Sequence, residues 1–275
     1  MLIDITVNGE KAQWETDHPL LTPAENNQKI FKSEKFKGGI YSTMILHLSP
    51  AKVSGFNLCP HSSAGCRAIC LNMAGQGGCI VDRRLVTNHC HITRAGRTTL
   101  LKRNKKFFFE KLKKEIGRFI IRCKLKGSQP CLRLNGTSDI NWVKTKDPAT
   151  NKNLMELYPE IQFYDYTKDL SQLKDLPKNY DLTFSRSETN HLQVAKALEM
   201  GFNIAVVFDR KLGLPETYMG YPVFNADQTD LRFLDNELSG YKKPIIAGLL
   251  EKGYLAKHDR SGFVVRCYES MKAVA

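Results

Sequence analysis

From residue 130 onward the chain repeats one pattern: a short apolar run, a cluster of polar functional groups, then a helical or loop segment. Cys131–Leu134 runs into Asn135-Gly136-Thr137-Ser138-Asp139, and Ile161–Tyr164 into Asp165-Tyr166-Thr167-Lys168. Leu182–Phe184 runs into Ser185-Arg186-Ser187-Glu188, and Ile204–Phe208 into Asp209-Arg210-Lys211. Tyr221–Phe224 and Pro244–Ala247 complete the series, the former running into Asn225-Ala226-Asp227-Gln228-Thr229-Asp230. Near-continuous apolar runs of this length predict strands buried on both faces, as in a parallel sheet with crossovers. Upstream, Thr43–Leu48 (TMILHL) predicts the first core strand, closed by Ser49-Pro50. About seven strand units result, enough to curl into a complete or partial β/α barrel.

Helical periodicity fills the gaps. Residues 83–101 and 105–123 predict helices. In the second, Phe108, Leu112, Ile116, Phe119, Ile120 and Cys123 form one apolar stripe, while Lys106, Lys113, Lys114, Arg118 and Arg122 occupy the other face. Thr189–Met200 predicts a third helix, with Gly201 as its C-terminal stop. At the start, Ile3, Ile5 and Val7 alternate as a short strand, and Asn8-Gly9 predicts a tight turn. The expected organisation is an N-terminal extension over residues 1–40 and an α/β, barrel-like domain over 41–275. Phe263–Val265 is expected to be a closing strand.

In parallel β/α folds the C-terminal ends of the strands build the site. The polar clusters would therefore share one mouth with the loop that follows the first core strand. That loop, residues 57–79, carries the densest candidate chemistry: Cys59, Cys66 and Cys70 at C-x6-C-x3-C spacing, and Cys79 nine residues later. Three local thiolates suit an iron–sulfur cluster, a [4Fe–4S] centre leaving one iron open or ligated elsewhere. Pro60 and Gly65 help the chain turn, and Arg67 can offset thiolate charge. Zinc is the rival: the C-x3-C half fits it, the C-x6-C half fits poorly, and His61, Cys79, His89 or His91 could complete it. Plain core thiols are the third reading, and the one taken for Cys90, Cys123, Cys131 and Cys267.

The mouth candidates divide by chemistry. Lys168 and Arg186 suit an anionic group, and Asp139, Asp165, Glu188 and Asp227 suit proton transfer or orientation, with Asp230 beside them. Asn135, Thr137, Ser138 and Ser185 add hydrogen-bonding groups. Taken singly, each cluster reads equally as a strand-end turn or an ion pair.

Charge changes the picture in one respect. The chain has 275 residues, with 41 Lys+Arg against 28 Asp+Glu, a formal +13. Such a surface attracts polyanions, so nucleic acid is a candidate partner through the basic face of residues 102–126, a solvated outer face being the other reading of that helix. No apolar run is long enough to span a bilayer, and the start, MLIDITVNGE, is not a secretory signal, so no membrane partner and a cytoplasmic location in the host cell are expected. Eight cysteines then read as reduced thiols or ligands rather than disulfides.

Several motifs together resemble the bacteriophage gene product 88 domain family: Asn57–Pro60, Ser63–Asn72 with Ala74-Gly75, Arg133–Ile140 with Trp142, Tyr164–Lys168, Thr183–Glu188 and Asp227–Phe233. The resemblance covers roughly residues 40–265, centres on the cysteine triplet, and implies phage or mobile-element ancestry. The layout also resembles radical S-adenosylmethionine enzymes, which carry an open-iron cluster after the first barrel strand. The spacing departs from their usual C-x3-C-x2-C. On that likeness Asn135, Thr137, Ser138 and Asp139 would hold the methionine end of S-adenosylmethionine, with Ser185 and Arg186 as further cofactor contacts. The expected function is thus an iron–sulfur protein, with an enzyme acting on nucleic acid or another anionic substrate as one form. A nucleic-acid-binding protein with a structural cluster or zinc is the alternative.

Overall fold

The computed structural model describes residues 1–23, 40–78, 80–81, 84–242 and 244–266. The chain opens with a hairpin, β1 (Leu2–Val7) and β2 (Glu10–Glu15). Asn8 and Gly9 take the left-handed backbone that its two-residue turn requires. β3 (Leu21–Pro23) and β4 (Tyr41–Leu46) follow, then α1 (Ala64–Ala68) within the cysteine loop. Two short strands, β5 (Ile80–Val81) and β6 (Arg84–Leu85), precede α2 (His89–Arg103) and α3 (Lys105–Lys126). The expected helix over 83–101 thus starts later. Asn88 caps it, accepting from the backbone of Cys90 and His91 while the His91 ring accepts from Asn88 N.

β7 (Gln129–Arg133), α4 (Leu154–Leu157), β8 (Gln162–Thr167) and β9 (Tyr180–Ser185) come next. They are followed by α5 (His191–Glu199), β10 (Ile204–Phe208), β11 (Thr217–Tyr218) and β12 (Tyr221–Asn225). α6 (Asp235–Ser239), β13 (Ile246–Leu250) and α7 (Gly253–Lys257) complete the order.

Nine strands form one sheet in the order β11-β12-β13-β10-β9-β8-β7-β4-β3. Every pairing from β4 through to β12 is parallel. Of the expected complete or partial barrel, the mostly parallel sheet is formed and its closure is not. Antiparallel strands finish both edges, β3 on β4 and β11 on β12, so the sheet stays open. Phe263–Val265 contributes a single parallel bridge, Val265 to Phe208, rather than a strand.

The strands bury different chemistry on their two faces. Met44, Leu46, Leu132, Leu134, Phe163, Leu182, Phe184, Ile204 and Val206 join the main core, together with Phe108, Leu112, Ile116 and Phe119 of α3. That stripe is what the 3.6-residue period predicted. The other face carries Cys131 and Tyr164 under Leu231 and Leu234. The N-terminal hairpin packs on α2, where a side chain on Gly96 would collide with Trp14. Among the described residues, no helix is long and apolar enough to cross a membrane.

Candidate functional site at the C-terminal strand ends

The cysteine loop leaves β4 at the C-terminal end of the sheet. Its first turn is held by local bonds: Cys59 N donates to Asn57 Oδ1 at 3.0 Å, and Ser62 Oγ to Cys59 O at 2.8 Å. Ser63 caps α1, its hydroxyl accepting from Cys66 N at 3.1 Å. Glu188, two residues past Arg186 on the loop after β9, clamps the same turn. Its carboxylate accepts from Ser63 Oγ and from Gly65 N, both at 2.7 Å. An acidic group at this end also suits the exposed N–H groups of the helix start. Burial pulls the Glu188 acid up, but those bonds and the nearby Arg186 together outweigh it and leave the acid below its ordinary range.

The far end of the loop is anchored by α2. Buried Asn72 accepts from Arg94 through Oδ1 at 2.6 Å, and its carbonyl meets His91 Nε2 at 3.0 Å. Cys70 Sγ accepts from Asn72 N at 3.5 Å. Cys59 Sγ lies 3.9 Å from Thr137 O. The triplet is thus tied to β4, α2 and the loop after β7.

The three thiols feel one another. Burial pushes the Cys59 thiol up to about 12, and nearby Cys70, Asp139 and Cys66 add to it. Burial also raises Cys70, with Cys66 adding, while Lys168 and Arg94 pull it down. These groups therefore lie within mutual electrostatic reach, with two cations beside Cys70. Thiolates so desolvated need positive charge to form, as a bound metal would supply. Among the described residues, no three His, Cys, Asp or Glu side chains converge tightly enough for a single metal ion. Cys79 lies outside the described residues.

Asp139 and Lys168 join the triplet to the strand ends. Asp139 N donates to Leu58 O at 2.9 Å. Its carboxylate accepts from Thr167 Oγ1 at 2.8 Å, Lys168 N at 2.9 Å and Gln172 Nε2 at 3.1 Å. Burial raises the acid above its usual range against those bonds. The Lys168 ammonium donates to Ser185 Oγ at 2.9 Å and sits over the Phe263 ring.

Other expected mouth residues are placed differently. Asn135 Oδ1 accepts from Ser138 Oγ, Ile140 N and Trp142 Nε1, while its amide donates to Ile140 O. Those atoms stitch the loop. Thr137 Oγ1 donates to Leu48 O at 2.6 Å. Arg186 donates to the carbonyls of Gly262 and Phe263, tying down the C-terminal loop. Asp227 pairs with Lys252 at 2.7 Å and accepts from Leu250 N, on the β12–β13 flank. Asp230 pairs with Arg133 at 3.1 Å. Lys113, expected on the open basic face, is spent on Asp147 at 2.7 Å.

Asp165 is fully buried on the core side of β8. It accepts from Asn135 N at 2.7 Å, Tyr180 OH at 3.1 Å and Leu134 N at 3.2 Å. Burial lifts its acid to about 7, against the pull of Arg133 and those donors. The folded protein therefore holds this proton more tightly than the unfolded chain. Its contribution to stability is complete below about pH 4 and is lost as pH rises through about 7. Urea midpoints taken from pH 4 to 8 should fall less steeply in Asp165→Asn than in the natural protein. Equal slopes would refute the assignment.

Three residues of this region lie outside the strand-end clusters, His47, Arg94 and Arg133, and Tyr166 lies inside one without being singled out. His47 is held neutral by burial and by Arg94, Arg97 and Arg133. Arg133 lies over the Tyr166 ring, 4.9 Å from its centroid. The missed signal is the period-2 alternation Thr43-x-Ile45-x-His47, Cys131-x-Arg133, Tyr164-x-Tyr166 and Thr183-x-Ser185, which puts polar groups on one face.

Comparisons with curated proteins and with solved structures give no match. The sequence does match the family Gene product 88 over residues 19–267, a span that holds the triplet, the Asp139–Lys168 junction and the Glu188 clamp, and the chain therefore belongs to the bacteriophage gene product 88 family.

Proposed function

We propose that Cys59, Cys66 and Cys70 hold a [4Fe–4S] cluster and that the protein is an iron–sulfur enzyme acting on an anionic substrate. One observation carries the reading: three partly buried thiols lie within mutual electrostatic reach at the C-terminal end of a parallel sheet, with Lys168 and Arg94 beside them. The run of parallel strands, open at both edges, is also compatible with the partial-barrel layout of radical S-adenosylmethionine enzymes. When bound, such a cluster supplies one-electron chemistry, with S-adenosylmethionine as co-substrate in the radical branch. The protein's own residues would do the rest. Glu188 and Asn72 fix the two ends of the thiol loop, Asp139 seats the backbone of Lys168, and the Lys168 ammonium offsets thiolate charge and faces an anionic ligand.

Anaerobic purification with iron and sulfide assays tests this. About four irons and four sulfides per chain are expected. Cys59→Ala, Cys66→Ala and Cys70→Ala should each lose most of the iron, and Cys90→Ala on α2 should keep it. Stoichiometric zinc without sulfide, or iron indifferent to the triplet, would overturn the reading.

The exposed face of α3 favours a second reading, a nucleic-acid-binding protein with a structural metal. Lys106, Lys114, Arg118 and Arg122 are exposed along it. Affinity for single- or double-stranded nucleic acid should then fall steeply with salt and flatten when Lys114 and Arg118 are neutralised.

A further inference from the structure

We infer that the polar face of the sheet, beside the cysteine triplet, holds a phosphate-class oxyanion on Arg133, Tyr166 and Thr183. This deepens the enzyme reading above by giving its substrate class a binding site.

A sheet face buried for packing alone would be apolar, as the opposite face is. Here β7, β8 and β9 instead present Arg133, Tyr166 and Thr183. Tyr166 and Thr183 are register partners, and Arg133 lies over the Tyr166 ring. The three are therefore immediate neighbours, a guanidinium and a hydroxyl flanking a phenol.

Two of them hold unused donors. Arg133 Nε and Thr183 Oγ1 are buried without a hydrogen-bond partner in the protein. A buried donor left so pays its desolvation cost with no bond in return, so both favour an acceptor brought by a ligand. Arg133 is already aimed: Asp230 takes its Nη1 at 3.1 Å and Tyr166 fixes its plane, leaving the Nε edge over. Guanidinium edges of this kind recognise phosphate and carboxylate.

The charges around the face are mixed. Asp230 and Asp235 are the acids on the segment that covers it, and they are matched by Arg133 and Arg232. Arg94 and Arg97 act on His47, and Lys168 reaches Ser185, two residues past Thr183 on the same face; Glu115 acts on Arg97, Asp139 is paired electrostatically with Lys168, and Asp165 acts on Arg133. Guanidinium, phenol, hydroxyl and ammonium together offer more donors than the two oxygens of a carboxylate accept well, which selects phosphate. The place is also right for chemistry: Arg94 acts on both His47 and Cys70, and Lys168 touches Ser185 while acting on Cys70. A phosphate held here is linked to the thiols through Arg94 and Lys168.

The test uses the full chain in phosphate-free buffer, both metal-free and after iron loading. Inorganic phosphate is titrated against the melting temperature and by equilibrium dialysis, with acetate and chloride at matched ionic strength. Saturable binding of phosphate, stronger than of acetate, is expected. Thr183→Val keeps the Arg133–Asp230 pair and should weaken phosphate about tenfold, one charged-acceptor hydrogen bond. Tyr166→Phe should weaken it less, and Lys178→Gln, exposed before the start of β9, should change nothing. Phosphate acting no more strongly than chloride, or equal affinity in Thr183→Val, would overturn the site. Iron uptake without phosphate binding would defeat this inference and leave the cluster standing. Phosphate binding without iron would do the reverse.

Discussion

Asp165→Ala is expected to cost about 3–5 kcal/mol, the range for breaking a buried charged network on one side. The carboxylate is the acceptor for Leu134 N, Asn135 N and Tyr180 OH, all buried. Alanine leaves those donors without a partner, each at about 1–3 kcal/mol, and opens a small cavity beneath the loop. The damage would not stay local. Asn135 is the hub that organises residues 135–142, so a shifted Asn135 backbone loosens Thr137 and Asp139, which contact the cysteine loop. Urea unfolding should show the loss, and Tyr180→Phe, which removes one donor together with its acceptor bond, should cost only about 1 kcal/mol. A loss under about 1 kcal/mol for Asp165→Ala would mean that water reaches these donors and that the carboxylate is not the keystone of the loop.

That result would also explain what a reader of the sequence can and cannot see. The strand rhythm was legible because strands buried on both faces leave apolar runs that nothing else in the chain imitates. The stripe of α3 was legible for the same reason. Closure was not. Whether the sheet joins into a barrel depends on its edges, and these are β3, a three-residue strand, and β11, a two-residue strand. Neither carries a hydrophobic signature, and β13 inserts between β10 and β12 with no local cue.

The site divides along a similar line. Polar residues at strand ends announce themselves, but the same residue types serve a ligand and a turn. Asn135, Asp165 and Arg186 are committed to backbone groups that no sequence pattern displays. Glu188 was legible as functional chemistry, yet its carboxylate clamps the thiol helix. Arg133 and Tyr166 went the other way. Arg133 sits inside an apolar run and Tyr166 inside a polar cluster, and the two stand out together only when alternate positions are read as one face.

Gly65→Ala tests the Glu188 clamp most directly. Alanine normally favours a helix over glycine by about 0.5–1 kcal/mol. Gly117 in α3 has open space around it, so Gly117→Ala should show that gain. At Gly65 a methyl group would lie 2.2 Å from Ser261 Oγ and 2.8 Å from Glu188 Oε2. One of them must move. If Glu188 moves, Gly65 N and Ser63 Oγ lose their acceptor; if Ser261 moves, its bonds to Asp259 and Phe263 N go with it. α1 has five residues and cannot stand without tertiary support. The expected result is a net loss of about 1–3 kcal/mol and faster labelling of Cys66 by a thiol reagent in the metal-free protein, with iron uptake reduced. Glu188→Gln, which keeps one acceptor oxygen, should fall between. A Gly65→Ala protein as stable as Gly117→Ala, with Cys66 labelled at the natural rate, would show that the clamp does not position the thiol.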